Sequence, residues 1–290
     1  MRDGELTWGP LDRDGDREAV AALADRCHAA DGGMPEVTVS RFRAEGAITT
    51  GARTATGELV AAAAVRVLAP GAAVIGLVDP AYRGRGAGGA LLDWGLSAAA
   101  TADPDAGGVT VETEALTGAA ERLFASRGLR QVFAEDVMSF DLAATEPPAA
   151  PLPPGLTLHE WTPDLAVRFF TAYEAAFHER PAYPGWPAER WVAWTAGDEE
   201  FRPQWSLLAA GPDGDAGMVT AAEGWIVQVG VVPSWRGRGV ASALVTEVLR
   251  RMRAGGADKA LLDVNVDNTA ARLYARLGFT KLGRRAKFQR

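Results

Sequence analysis

Residues 225–251 read WIVQVGVVPSWRGRGVASALVTEVLRR, and the rest of the chain is organised around them. The first eight residues are rich in β-branched side chains and predict a strand. Pro233 opens a turn, the run Arg236-Gly237-Arg238-Gly239-Val240-Ala241 follows, and a helix then runs on from it. Small residues at a helix start let a ligand come close to the backbone. The unpaired N–H groups and positive dipole end of the first turn suit an anion, a phosphate above all. Two arginines beside such a turn add full positive charge. The run reads as a diphosphate cradle, set against the plainer reading of a solvated basic turn.

The same pattern occurs earlier. Val78-x-Pro80-x-x-Arg83-Gly84-Arg85-Gly86 matches Val231-x-Pro233-x-x-Arg236-Gly237-Arg238-Gly239 at a constant offset, and Ala87-Gly88 continues it. The aromatic before each arginine is repeated too, as Tyr82 and Trp235. Beyond each following helix come a strand and then a short helix. That helix ends as Leu123-Phe124 with Gly128-Leu129 in one half, and as Leu273-Tyr274 with Gly278-Phe279 in the other. An ordered repeat of this length makes the chain two copies of one domain. Residues 145–154, TEPPAAPLPP, carry five prolines and predict a stiff linker. The expected domains are therefore 1–144 and 155–290.

Composition narrows the function classes. A chain of 290 residues exceeds the roughly 150 typical of one domain. A net charge of −7 argues against a nucleic-acid partner, so the arginine runs are local features. Cys27 is the only cysteine and the three histidines have no metal-ligand spacing, so neither a disulfide nor a metal is expected. There is no signal-peptide pattern and no apolar run of membrane-spanning length. A cytoplasmic protein with no membrane partner, monomer or homodimer, is expected.

In the first half, strands are expected at 5–8, 48–54, 59–68 and 72–78, with a helix over 16–30 on which His28 is a surface residue. The second half starts with a strand at 156–161 and a helix whose buried face holds Leu165, Phe169, Tyr173 and Phe177. An irregular aromatic loop, 178–187, and a helix near 188–195 follow. Strands are expected at 205–210 and 217–222. Seven of the nine tryptophans lie in this half, read mainly as core, with a subset able to wall a pocket.

At this point the residues resemble the GNAT superfamily of acetyl-CoA-dependent N-acetyltransferases, in its tandem two-domain form. The family pattern Arg/Gln-x-x-Gly-x-Gly/Ala stands here as Arg236-x-x-Gly239-x-Ala241 and as Arg83-x-x-Gly86-x-Gly88. A second element runs from Asn268 through Ala271, Leu273 and Tyr274 to Gly278-Phe279. The resemblance implies an α/β (α+β) chain of two tandem domains, each a mixed, mostly antiparallel twisted sheet flanked by helices. It implies acetyl-CoA as donor and a primary amine of a small molecule or peptide as acceptor. The backbone of residues 236–241 would hold the diphosphate. Val229, Gly230 and Val231 would line the pantetheine arm and offer an oxyanion donor. Asn265 and Asn268 would bond the pantetheine amides or order the turn. Tyr274 would protonate the departing thiolate.

An amine acceptor also needs a base, because an alkylamine is mostly protonated at neutral pH. Glu223 is the candidate, with a water chain or Asp198/Glu199 as alternatives. Glu179, Tyr183 and Trp186 are the expected acceptor contacts, through ring faces and charge attraction. The first copy departs at the chemistry: Phe124 stands where Tyr274 does, and Gly118 where Asn268 does. Its phosphate loop is complete, so it is expected to hold acetyl-CoA or to act as a structural partner without catalysing. Two rivals remain. Gly84-x-Gly86-x-x-Gly89 with Glu112 mimics a dinucleotide fingerprint, but residues 79–83 separate it from its strand. A non-catalytic acyl-CoA-binding or sensing protein is the other, and release of free CoA thiol with amines separates it from an enzyme.

Overall fold

The computed structural model describes residues 6–68, 71–102, 108–180 and 183–290. The chain forms two compact units, residues 1–137 with 282–290, and residues 138–281. This departs from the expected boundary: the proline-rich 145–154 segment falls inside the second unit, and the last nine residues group with the first. The C-terminal residues find their partners there. Their strand pairs antiparallel with residues 109–113, Ala286 opposite Thr113 and Phe288 opposite Val111.

In the first unit the order is β1 (Thr7–Gly9), α1 (Arg17–Asp31), α2 (Pro35–Phe42), β2 (Ile48–Arg53), β3 (Leu59–Val67), β4 (Ala72–Val78), α3 (Ala87–Ala102), β5 (Val109–Thr113) and α4 (Gly118–Ser126). Of the strand expected at 5–8, residue 5 lies outside the described residues. Neighbouring strands from β1 to β4 run antiparallel, and β4 and β5 run parallel. The alanine run of β3 explains how this unit is layered. Ala62 and Ala64 meet Val20, Leu23 and Cys27 of α1 and Phe42 of α2, whereas Ala61 and Ala63 meet Ala87 and Leu91 of α3. A strand covered on both faces reads as a continuous apolar stretch rather than an alternating one. Gly95 lets α3 sit directly on β4, since a Cβ there would lie 2.4 Å from a methyl of Val74.

β6 (Arg130–Asp141) leads into the second unit. There follow β7 (Thr157–Glu160), α5 (Ala166–Phe177), α6 (Ala188–Ala196), β8 (Leu207–Gly211), β9 (Gly214–Ala222), β10 (Trp225–Val231), α7 (Val240–Ala254), β11 (Lys259–Asn265) and α8 (Ala271–Arg276); the last strand, β12 (Thr280–Gln289), belongs from residue 282 onward to the first unit. β7 to β10 are antiparallel neighbours, and β10 and β11 are parallel. The mixed, mostly antiparallel sheet with flanking helices matches the expected class. α7 turns Val240, Leu244, Val248 and Met252 onto Ile226, Leu207 and Leu262, forming one core. α5 and α6 hold a second, aromatic core of Trp161, Phe169, Phe170, Tyr173 and Trp191. The tryptophans of this half therefore serve mainly as core, as their sequence positions suggested.

Candidate functional site

β10 is irregular along both of its edges. Ile226 pairs with Ala221 and Gln228 with Thr220, so Val227 is an extra residue, a β-bulge, against β9. Towards β11 only Trp225 is in register, opposite Leu261, and beyond it the two parallel strands separate. The β11-facing backbone groups of Val229, Gly230 and Val231 are left without ladder partners. In the first unit β4 and β5 stay paired for three positions, and β4 pairs with β3 without a bulge.

Past β10 the chain makes a 3-10 turn over Pro233–Trp235 and enters the glycine loop. Gly237 and Gly239 have φ of 76° and 88°, the left-handed region that glycine alone adopts freely. A Cβ at either would meet nothing within 4 Å, so conformation and open space, not packing, require glycine there. Gly239 is the N-cap of α7, and no side chain caps the helix. The first-turn N–H groups of Val240 and Ala241 therefore have no side-chain cap among the described residues. Gly84 and Gly86 repeat this at φ of 74° and 91°, again with open space around them, before Ala87 and Gly88 start α3. Both loops fit a diphosphate by backbone donors and helix dipole.

The leading arginines do a different job from the one expected. Arg236 donates through Nε to the carbonyl of Val231 at 3.4 Å, and through its terminal nitrogens to the carbonyl of Ala176 at 3.2 Å and to Glu179 at 3.4 Å. Arg83 donates through Nε to Val78 at 3.0 Å and makes a two-pronged pair with Asp31 at 2.7 and 2.6 Å. Each ties the end of a helix to the strand that leads into its loop. Arg238 and Arg85 lie instead over the preceding aromatic rings, Trp235 at 5.1 Å and Tyr82 at 5.5 Å.

Tyr274 lies on α8 and is only 7% exposed, its ring edge-on to Phe279 at 5.9 Å. Burial pushes its hydroxyl up to about 12, with the nearby positive charge of Arg180 acting in the opposite sense. The hydroxyl thus keeps its proton at neutral pH. The Oδ1 atoms of Asn265 and Asn268 accept from the N–H groups of Asp267 and Ala270, at 3.0 and 2.9 Å, so both residues order the turn into α8. Ala271 begins that helix.

Glu223 is placed differently from its expected role as base. It sits in the β9–β10 turn beside Gly224, is half-exposed, and pairs with Arg202 at 2.7 Å. That turn is at the other end of β10 from the glycine loop, about 25 Å along an extended strand. Glu179 is held by Arg236 rather than standing free. Tyr183 packs 5.9 Å from Tyr173, and its hydroxyl is buried without a hydrogen-bond partner among the described residues. One face of Trp186 is already taken by Arg190, 4.5 Å away, and its edge meets Trp194. Part of this loop, residues 181–182, lies outside the described residues. The Arg180 guanidinium lies over the Phe177 ring at 5.0 Å, and its charge reaches the Tyr274 hydroxyl; the sequence places Arg180 on the acceptor loop but gives it no role.

The first unit holds an open cleft of about 800 Å³ that reaches from Gly84, Gly86 and Gly88 past Val78 to Phe124 and Cys27. Phe124 lies tilted against Phe288, ring centroids 4.9 Å apart, and offers no proton. The Cys27 thiol donates to the Val78 carbonyl at 3.3 Å, and burial pushes it up to about 11. His28 is buried, not a surface residue: its nitrogens meet the Gly32 carbonyl at 2.6 Å and the Thr38 hydroxyl at 2.8 Å. Among the described residues no cluster of His, Cys, Asp and Glu could hold a metal, and no helix is long and apolar enough to cross a membrane.

Comparison with known proteins agrees with this geometry. Residues 159–279 match the model of the Acetyltransferase (GNAT) family. The chain is 33% identical to a mycothiol acetyltransferase from Thermobispora bispora, over 92% of this chain and 93% of that protein. It is 33% identical to the mycothiol acetyltransferase of Kineococcus radiotolerans, over 94% and 92%. Among solved structures, a GCN5-related N-acetyltransferase from Sphaerobacter thermophilus superposes with a TM-score of 0.73 at 29% identity, covering 98% of this chain and 95% of that one. A tandem GNAT protein from the clavulanic acid biosynthesis pathway shares the fold, with a TM-score of 0.60 at 19% identity over 99% and 98%.

Proposed function

Since the chain belongs to the GNAT family of acetyltransferases, we propose that its second unit transfers an acetyl group directly from acetyl-CoA to the primary amine of a small molecule. The donor brings the acetyl group as an activated thioester. The observation that carries the reading is Tyr274: a buried hydroxyl that holds its proton up to about pH 12, on the repeat where the first copy has Phe124.

In this reading each residue has a role. Backbone N–H groups of Arg236, Gly237, Arg238, Gly239, Val240 and Ala241 hold the diphosphate, with the α7 dipole behind them. Unpaired backbone at Val229, Gly230 and Val231 lines the pantetheine arm and supplies an N–H donor to the acyl oxygen, where charge develops. Tyr274 gives its proton from the hydroxyl to the leaving sulfur and excludes water there by its burial. Asn265 and Asn268 fix the turn that places α8, and Ala271 keeps that helix start small. Glu179, Tyr183 and Trp186 belong to the acceptor side, Tyr183 and Trp186 as walls of an aromatic core and Glu179 through Arg236. Glu223, held by Arg202, would act on the amine only through intervening water.

The relatives' name, mycothiol acetyltransferase, favours the amine of a cysteinyl sugar over simple alkylamines or peptide N-termini. The first unit holds acetyl-CoA without transferring its acetyl group, through Val78, Arg83, Gly84, Arg85, Gly86, Ala87 and Gly88; its cleft and Phe124 favour that role. A screen of acetyl-CoA turnover across a cysteinyl-sugar amine, polyamines, amino sugars and peptide N-termini, reading free CoA thiol, tests the reading. Absence of thiol release with every amine tested would favour a non-catalytic acyl-CoA-binding protein.

A further inference from the structure

Arg238 stands apart from the other arginine of its loop. Arg236 is occupied by Val231, Ala176 and Glu179. Arg238 is exposed, and among the described residues no carboxylate pairs with it; its contact is the Trp235 ring, 5.1 Å from the guanidinium carbon. The arrangement is built rather than incidental, because Arg85 lies over Tyr82 at 5.5 Å in the corresponding place of the first loop. Trp235 itself is half-buried against the α7 core, and its backbone N–H donates to the Val232 carbonyl at 2.9 Å. A guanidinium on a fixed aromatic face loses little freedom when it takes an anion.

Trp235 belongs to the 3-10 turn before the loop, and the Arg238 guanidinium rests on its ring. The α7 N–H groups and the helix dipole, worth about half a charge, already answer a diphosphate. A CoA thioester carries a second anionic group, the ribose 3′-phosphate, a dianionic monoester that neutral N–H donors match poorly. Resting on the acetyl-CoA reading above, we propose that Arg238, seated on Trp235, binds that 3′-phosphate and so makes the second unit distinguish CoA from dephospho-CoA.

The test is calorimetric binding of CoA and of dephospho-CoA to the full chain carrying Gly86→Glu, which removes the first unit's loop from the measurement. The same titrations are repeated with Arg238→Gln and Arg238→Lys added, folding being checked by thermal melts. CoA is expected to bind the parental protein about 10- to 100-fold more tightly than dephospho-CoA, the worth of a charge-assisted hydrogen bond. Arg238→Gln should erase that ratio while leaving dephospho-CoA affinity unchanged, and Arg238→Lys should restore part of it. Equal weakening of both ligands by Arg238→Gln would assign the charge to the diphosphate and overturn the proposal. No change in either ligand would make Arg238 a solvated cation and overturn it too. A parental protein that binds neither ligand would sink the acetyl-CoA reading itself.

Discussion

Arg236 Nε donates to the carbonyl of Val231, five residues back, at 3.4 Å. The bond closes the strand end onto the glycine loop, and the remaining guanidinium nitrogens reach the end of α5. Arg83 and Val78 repeat it in the first unit. The leading arginine of the motif is therefore a strut for the loop. Arg236→Ala should weaken CoA binding and lower stability by about 1 kcal/mol, since the side chain is half-exposed and solvent screens its pairs. In a chain of this size that is a fall in Tm of about 2–4 °C, read by differential scanning fluorimetry. Unchanged stability with lost CoA affinity would return Arg236 to the phosphate-binding set.

The two glycine loops should differ in weight. Gly239→Glu puts a side chain at φ 88°, strains the backbone and places negative charge at the α7 N-terminus. Turnover should vanish. Gly86→Glu does the same to the first loop and should leave turnover measurable while emptying the first unit's cleft, which CoA titration of each variant reports. Equal and complete loss from both, with folding intact, would contradict a single transferring unit.

Tyr183 gives a prediction with a definite sign. Among the described residues its hydroxyl is buried without a hydrogen-bond partner, a state that costs about 1–3 kcal/mol relative to a satisfied group. Tyr183→Phe removes the group and keeps the ring beside Tyr173, so thermal stability should hold or rise. If stability is unchanged but the acceptor KM rises several-fold with the acetyl-CoA KM fixed, the hydroxyl is an acceptor contact.

Much of this was legible in the sequence, and the losses have physical causes. The glycine loops, their strands and the helices behind them follow from the repeated pattern, because backbone conformation dictates those residues. β12 was missed because Arg284, Arg285 and Lys287 make it look solvated. In the fold Arg284 pairs with Asp136 at 2.6 Å, Arg285 lies 3.5 Å from Glu114, and Lys287 lies 3.3 Å from Glu112. Glu112 and Glu114 are themselves buried, held by Arg41 and Arg66 from α2 and β3. Partners so distant in sequence leave no local signal. The same reason hid the Arg236–Glu179 pair and the Arg202–Glu223 pair, each of which ties up a side chain that looked free in the sequence.

The raised Tyr274 hydroxyl also predicts a pH dependence of stability. Below the unfolded value of about 10 both states are protonated and the group contributes nothing. Between about 10 and about 12 the unfolded chain ionises while the folded one does not, so stability falls as pH rises through that window. The loss is of order 2 kcal/mol. Denaturant melts of wild type and Tyr274→Phe from pH 9 to 12 check it, and the variant should lose less stability over that range. Parallel curves would mean that Tyr274 ionises as freely folded as unfolded.

The most direct measurement is single-turnover acetyl transfer by Tyr274→Phe, with CoA affinity measured on the same protein. The variant keeps the ring against Phe279 and removes only the proton donor, as Phe124 already does in the first unit. General-acid catalysis is worth about 10²–10⁴-fold, so the transfer rate should fall within that range while CoA affinity stays put. A variant that keeps more than about half the wild-type rate, far from the 10²-fold loss of an absent general acid, would contradict the role of Tyr274.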